Sequence, residues 1–337
     1  MNFLNLSGSK ALLGLYSLTS MRILITGGFG FIGGRLALHL SNNGHQIIIS
    51  SRVKRDTPEW LPQAEIFQMD WGNETNLRDV CSGIDVVIHA AGMNSTDCQD
   101  NPDAALAFNG RSTEQLVRAA VSADVKAFIY LSTAHVYANP LIGRITEATK
   151  PDNPHSYATS HLAGENAVLR ATLKGKTRGV VLRIANIYGT PTHADVNCWM
   201  LLVNDLCKQA VTTQEIILRS SGVQQRNFLT MSDVCVAIES LLVAGFGSET
   251  PPIINVGSEV SETINNMATL IQERCKKVLG FNPIIEYLPG KATNVVQTLN
   301  YGSLYPSIFA EKMQNNKNRE IDSLLKFCHD AFAIKLN

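Results

Sequence analysis

The octapeptide Thr26-Gly27-Gly28-Phe29-Gly30-Phe31-Ile32-Gly33 decides the fold of this 337-residue chain. In one frame Gly28, Gly30 and Gly33 satisfy GxGxxG; in another Gly27, Gly30 and Gly33 satisfy GxxGxxG. The physics is common to both. One glycine permits a tight turn, one lets the backbone approach a pyrophosphate, and the last lets a helix pack closely on a sheet. A short apolar run, residues 22–26, precedes the turn, and a stretch of helical period, residues 31–43, follows it. Such a helix opens with free N–H groups and a positive dipole end aimed at phosphates. Phe31 and Ile32 therefore join Gly27, Gly30 and Gly33 as candidate dinucleotide ligands.

Outward from the turn, the pattern alternates. Strands are expected at residues 22–26, 46–50, 65–68, 85–89, 127–131 and 179–184, with helices near 31–43, 74–81, 104–123 and 156–173. The strands are almost continuously apolar, which suits a parallel sheet covered on both faces. Strand–helix alternation implies right-handed crossovers and an α/β, doubly wound Rossmann sheet. Residues 21–190 form this dinucleotide-binding part. Residues 191–337, where the rhythm loosens, form a smaller substrate-binding part with segments returning to the core. Residues 1–20 read as a flexible extension, with Met21 as the natural beginning of the domain.

Composition narrows the partners. Twenty-nine Lys+Arg balance 29 Asp+Glu, so no broad electrostatic grip on nucleic acid or anionic lipid is expected. No apolar run approaches the roughly 18 residues needed to cross a bilayer. Seven cysteines in no CxxC spacing point away from a disulfide framework or a zinc site, and towards a reducing, cytoplasmic setting.

The end of the second strand selects the dinucleotide. An acidic residue roughly 20 positions past the glycines would bond the ribose 2′-hydroxyl of NAD. Here the place is held by Ser50-Ser51-Arg52, with Lys54 and Arg55 beyond. A hydroxyl and a guanidinium both suit a 2′-phosphate, so NADP is preferred over NAD.

With these residues in view, TGGFGFIG resembles the opening of the extended short-chain dehydrogenase/reductases, the NAD(P)-dependent epimerase/dehydratase family. The resemblance continues in order through His89-Ala90-Ala91-Gly92, Asn109 in FNGRST, Leu131–Tyr137, Ser156–Glu165, Leu182-Arg183, Asn186–Gly189, Arg226-Asn227-Phe228 with Asp233, and Asn255-Val256-Gly257. It implies that Asp70 and Trp71 lie near the adenine, that Ala90, Ala91 and Gly92 run beside the cofactor, and that Asn109 steadies the central helices. It implies a catalytic pair, Thr133 and Tyr157, acting on one substrate oxygen while hydride moves to or from the nicotinamide. Met93, Asn94, Thr133, Asn186 and Arg226 would meet a nucleotide sugar. Arg226 would bind its diphosphate, or alternatively serve as a structural ion-pair residue. The family commonly dimerises through the helices near 104–123 and 156–173, so a homodimer is expected, with Ala158, Ala163, Gly164 and Ala167 permitting close approach.

One departure stands out. The family's Tyr-x-x-x-Lys is here Tyr157 and His161. The spacing keeps both on one helix face, and the imidazole still donates to a nicotinamide ribose. A second departure is Ala134-His135, where the family's 4,6-dehydratases carry Asp-Glu; without those carboxylates, water elimination lacks its acid and base. The expectation is therefore an epimerase or a ketoreductase acting on a nucleotide sugar. The alternatives are a reductase of another small carbonyl compound and a non-catalytic NADP-binding regulator.

Overall fold

The computed structural model describes residues 20–173, 175–288, 297–309, 312–314 and 316–333. The expected extension, residues 1–20, lies outside them save for Ser20. Seven strands form the central sheet: β1 (Arg22–Thr26), β2 (Gln46–Ser51), β3 (Glu65–Gln68), β4 (Val86–His89), β5 (Ala127–Thr133), β6 (Arg178–Ile184) and β7 (Ile253–Val256). Their order is β7-β6-β5-β4-β1-β2-β3 and every pairing is parallel. Strand order reverses between β1 and β4, which makes that crevice the topological switch point where ligands bind in such sheets.

Alternation along each strand loads both faces. Ile23, Ile25, Ile49, Ile88 and Ile129 pack on one side with α1 (Phe31–Asn42) and a later helix, Met231–Ala244. Leu24, Ile48, Val87, Phe128 and Tyr130 pack on the other with α2 (Glu74–Cys81), α3 (Thr113–Ser122) and α4 (Ser156–Thr172). A third core, built from Leu206, Phe228, Met267, Ile271, Leu324 and their neighbours, gives the later part of the chain its own interior. Chain from that half returns to the sheet as Met231–Ala244 and β7. The expected strands do not include β7, which has four residues and follows Pro251-Pro252 directly.

The expected helix at 104–123 is divided. Pro102–Ala105 is α-helical, Leu106–Ser112 is a π-helical turn, and α3 follows. π turns are rare and gather at functional sites. This one carries Asn109 inward, 1 % exposed, towards α4. A separate short helix, Ser95–Asp100, follows β4. Among the described residues no helix is long and apolar enough to cross a membrane, and all seven cysteines are buried and free.

The small-residue face of α4 is used differently from the expectation. Ala158 and Gly164 are buried inside the subunit; a Cβ at Gly164 would overlap Tyr130 and the Asn109 carbonyl. Only Ala163 and Ala167 remain towards the outer groove, with Leu106 and Gly110.

Candidate active site

The parallel register brings the ends of β1, β2, β4 and β5 to one edge, and the glycine turn sits there. Gly27 has φ +68°, and a Cβ on it would meet the Ala90–Ala91 backbone at about 3 Å. Gly30 N donates to the Gly27 carbonyl at 2.8 Å, and a Cβ on Gly33 would collide with that same carbonyl. The Gly27, Gly30, Gly33 frame therefore carries the turn, while Gly28 presses on Ile49 of β2. Gly30 caps α1 with no side-chain hydrogen bond, and the first turn holds no acidic residue. By contrast Asn73, Asn94 and Thr230 cap their helices with side-chain oxygens. The N–H groups of Phe31, Ile32 and Gly33 thus lack an internal cap, and the uncapped cradle fits a dinucleotide pyrophosphate.

The adenine side is open. Ser51 is half-buried, its Oγ accepting from Val53 N at 3.3 Å, and Arg52 is exposed. The Asp70 carboxylate, exposed just past β3, accepts from Gly72 N at 3.0 Å. Trp71 turns inward, with its ring against His89 and Phe108. A chain of rings crosses the glycine turn. The Arg55 guanidinium lies 4.7 Å from the Phe29 ring centre, Phe29 meets Trp60 edge-on, and Trp60 stacks on His193.

Thr133 ends β5 and Tyr157 opens α4, which brings the Thr133 side chain to bear on the Tyr157 phenol. Burial pushes the Tyr157 phenol up to about 12, against a smaller downward pull from Thr133. His161 lies one turn on, its ring 4.6 Å from that of Tyr157 and edge-on to it. Its Nδ1 is 3.1 Å from the buried Tyr130 hydroxyl, and the Nε2 edge faces Gly92. Burial pulls His161 down to about 4, so the ring is neutral at pH 7. The spacing correctly puts the imidazole beside the phenol, but it carries no positive charge there.

The supporting shell is buried and polar. The Asn109 amide accepts from Met93 N at 2.9 Å and donates to Ser160 Oγ at 3.0 Å, tying the segment after β4 to α4. Asn109 thus steadies the frame, and its side chain is engaged within the protein. His89 bridges Thr26 Oγ1 at 2.6 Å and Thr113 Oγ1 at 2.9 Å, and burial holds it down to about 3. Below Thr133, Ser132 donates to Glu165 at 2.5 Å, and Glu165 grips Arg183 through Nε and Nη2. Tyr130 and the π turn carry no distinctive mark in the sequence. Their signals, one more apolar strand residue and one helical stretch, do not differ from ordinary core.

The substrate side divides the expected residues. Asn94 is occupied: it accepts from Asp97 N and donates to Asp97 Oδ2, capping the helix Ser95–Asp100. Met93 stays partly exposed beside it. Asn186 and Arg226 come together with His135 around a narrow cavity of about 30 Å³. His135 Nε2 is 3.4 Å from Asn186 Oδ1. Arg226 makes no ion pair among the described residues, and its Nε is buried without an acceptor. Glu262, opposite it in a two-stranded ladder, pairs with Lys317 instead.

Comparison with known proteins agrees with this geometry. The model of the NAD dependent epimerase/dehydratase family matches residues 23–257. The chain is 28 % identical over 260 residues to a dTDP-6-deoxy-L-talose 4-dehydrogenase (NAD(P)(+)) of Kitasatospora kifunensis, covering 75 % of this chain and 78 % of the relative. It is 26 % identical over 259 residues to a mouse (Mus musculus) dTDP-D-glucose 4,6-dehydratase, covering 73 % and 71 %. Among solved structures, a UDP-N-acetylglucosamine 4-epimerase from Methanobrevibacter ruminantium M1 superimposes with TM-score 0.77 at 19 % identity, over 92 % of this chain and 98 % of that one. A glycine cradle without a cap, a Thr–Tyr pair at the same sheet edge and a family match across most of the chain lead to one conclusion: this protein belongs to the NAD dependent epimerase/dehydratase family.

Proposed function

We propose that the chain is a nicotinamide-dependent enzyme acting on a nucleotide sugar, in the ketoreductase direction. The observation that carries the direction is the protonation state of the pair Tyr157–His161. With its phenol held near 12 and a neutral imidazole beside it, Tyr157 keeps its proton at pH 7. A neutral phenol beside the Thr133 side chain is suited to donate to a carbonyl oxygen that is gaining negative charge. It is a poor base for the reverse oxidation. A bound nicotinamide would supply or accept the hydride. The N–H groups at the start of α1 would hold the pyrophosphate of a bound dinucleotide, Ser51 and Arg52 would meet its adenosine ribose, and Nε2 of His161 would be free to donate to its nicotinamide ribose. NADP is the expected partner, since Ser50, Ser51 and Arg52 at the end of β2 put no carboxylate where a 2′-phosphate would sit.

Substrate class rests on Arg226, a largely buried guanidinium that pairs with no carboxylate among the described residues. Such a group is matched by a diphosphate, which accepts two parallel N–H bonds. The relative from Kitasatospora is named a 4-dehydrogenase of a dTDP-deoxysugar, which supports redox chemistry at a sugar carbon. Epimerisation needs Tyr157 to act as base and acid in turn, and the high phenol pKa speaks against the first half.

The test is turnover of nucleotide 4-keto sugars, followed by loss of reduced-nicotinamide absorbance. The wild type should consume NADPH and Tyr157→Phe should not, while both retain NADPH affinity. Equal turnover by both would overturn the assignment of Tyr157. NADPH binding with no turnover of any keto sugar would favour a regulator, a reading that the neutral His161 also supports.

A further inference from the structure

We propose that His135 is a second ligand for a substrate oxyanion held by Arg226, and that this ligand engages in its protonated form. The inference rests on the nucleotide-sugar reading above and deepens it. Arg226 and His135 come from different parts of the chain, a two-stranded ladder and the turn after β5, yet they line one cavity with Asn186. That cavity has room to admit an anionic oxygen between the guanidinium and the imidazole. The backbone of His135 is anchored on both sides. Its N–H donates to Thr133 Oγ1 at 3.1 Å and its carbonyl accepts from Asn153 Nδ2 at 2.7 Å. The residue is thus tied to a proposed catalytic hydroxyl while its ring reaches towards the guanidinium.

The groups facing His135 are Arg226, Asn186, His155 and the Ala138 backbone. None is acidic. Burial and the Arg226 charge both hold the free imidazole below its ordinary value. An oxyanion seated between the two reverses the balance, because it screens Arg226 and favours the imidazolium. One proton then passes from solvent to His135 as the ligand binds. Affinity is strongest below the pKa of the free histidine. It declines as pH rises and reaches its floor above the pKa of the complex. The oxyanion has two chemical sources, the diphosphate common to all nucleotide sugars and a carboxylate on the sugar itself.

The test is isothermal titration of the NADP-loaded full chain with UDP-glucose, dTDP-glucose and UDP-glucuronic acid from pH 6 to 8, in two buffers of different ionisation enthalpy. None of these ligands titrates in that range. Wild-type affinity should fall by roughly tenfold between the limits, with proton uptake on binding. His135→Gln keeps a hydrogen bond and cannot titrate; it should bind with no pH slope and no proton uptake. Linkage with all three ligands assigns the diphosphate, and linkage with UDP-glucuronic acid alone assigns the sugar carboxylate. A wild type without proton uptake, or a His135→Gln variant that keeps it, overturns the inference and leaves the nucleotide-sugar reading intact. Failure of every nucleotide sugar to bind the wild type would sink both. Because the wild-type proton count needs no variant, the test survives a misfolded substitution.

Discussion

The phenolic oxygen of Tyr130 lies 3.1 Å from Nδ1 of His161, inside the interface between β5 and α4. With Tyr130 donating to Nδ1, the ring proton sits on Nε2 and points towards Gly92. One buried hydrogen bond therefore sets which edge of the imidazole faces the cofactor groove. It also helps keep the ring where a charge is costly.

His161→Lys is expected to restore a cation beside Tyr157. A positive charge within about 4–6 Å lowers a phenol pKa by roughly one to three units. The pH–rate profile for alcohol oxidation should move to lower pH by that amount, while carbonyl reduction at pH 7 changes little. An unmoved oxidation profile would show that the phenol does not sense position 161.

Acid should destabilise the fold through the same ring. His161 has a folded pKa of about 4, below the ordinary 6.5, so the unfolded chain binds its proton first. The stabilisation is fully present above about 6.5 and is lost as pH falls towards about 4, on the order of 3 kcal/mol in all. His89, held down to about 3, acts in the same direction. Melting temperatures from pH 7 to 4 should drop steeply in the wild type and less steeply in His161→Gln. Parallel curves would refute the assignment.

Gly27→Ala is expected to remove dinucleotide binding. The substitution puts a side chain at φ +68° and against the Ala90–Ala91 backbone. The strain is on the order of 1–3 kcal/mol, and the turn must shift to relieve it. Titration with NADP and NAD should show loss of both, whereas Arg52→Ala should weaken NADP about tenfold and leave NAD unaltered.

Glu165→Ala should be among the most destabilising single changes. Glu165 and Arg183 are 1 % and 3 % exposed, and removing the acid strands a guanidinium in the core. A loss of about 3–5 kcal/mol in denaturant unfolding is expected. A loss below about 1 kcal/mol would mean that water reaches Arg183.

The parallel sheet and its glycine turn were legible because each rests on a local signal: apolar runs such as Ile23–Ile25, and glycines whose missing side chains the turn requires. The pairing of Thr133 with Tyr157 was legible only through resemblance, since 24 positions separate them and no periodicity connects them. For His161 a reference pKa of about 6.5 left the charge at pH 7 open in the sequence. It depends on burial and on Tyr130, a residue that reads as plain strand core. The helix cap at Asn94 was not legible for a related reason: a polar residue after the AAG segment suits a sugar pocket and a helix cap equally. The π turn leaves no compositional mark, because it differs from an α-helix by one inserted residue.

The ring chain from Arg55 through Phe29 and Trp60 to His193 has a practical corollary. The protein has three tryptophans, and each stands in a different neighbourhood: Trp60 over the glycine turn, Trp71 against His89, and Trp199 between Phe327 and Phe332 in the later lobe. Three single-indole variants would turn the molecule into its own fluorimeter, in which docking of a nucleotide and melting of either lobe emit separate signals.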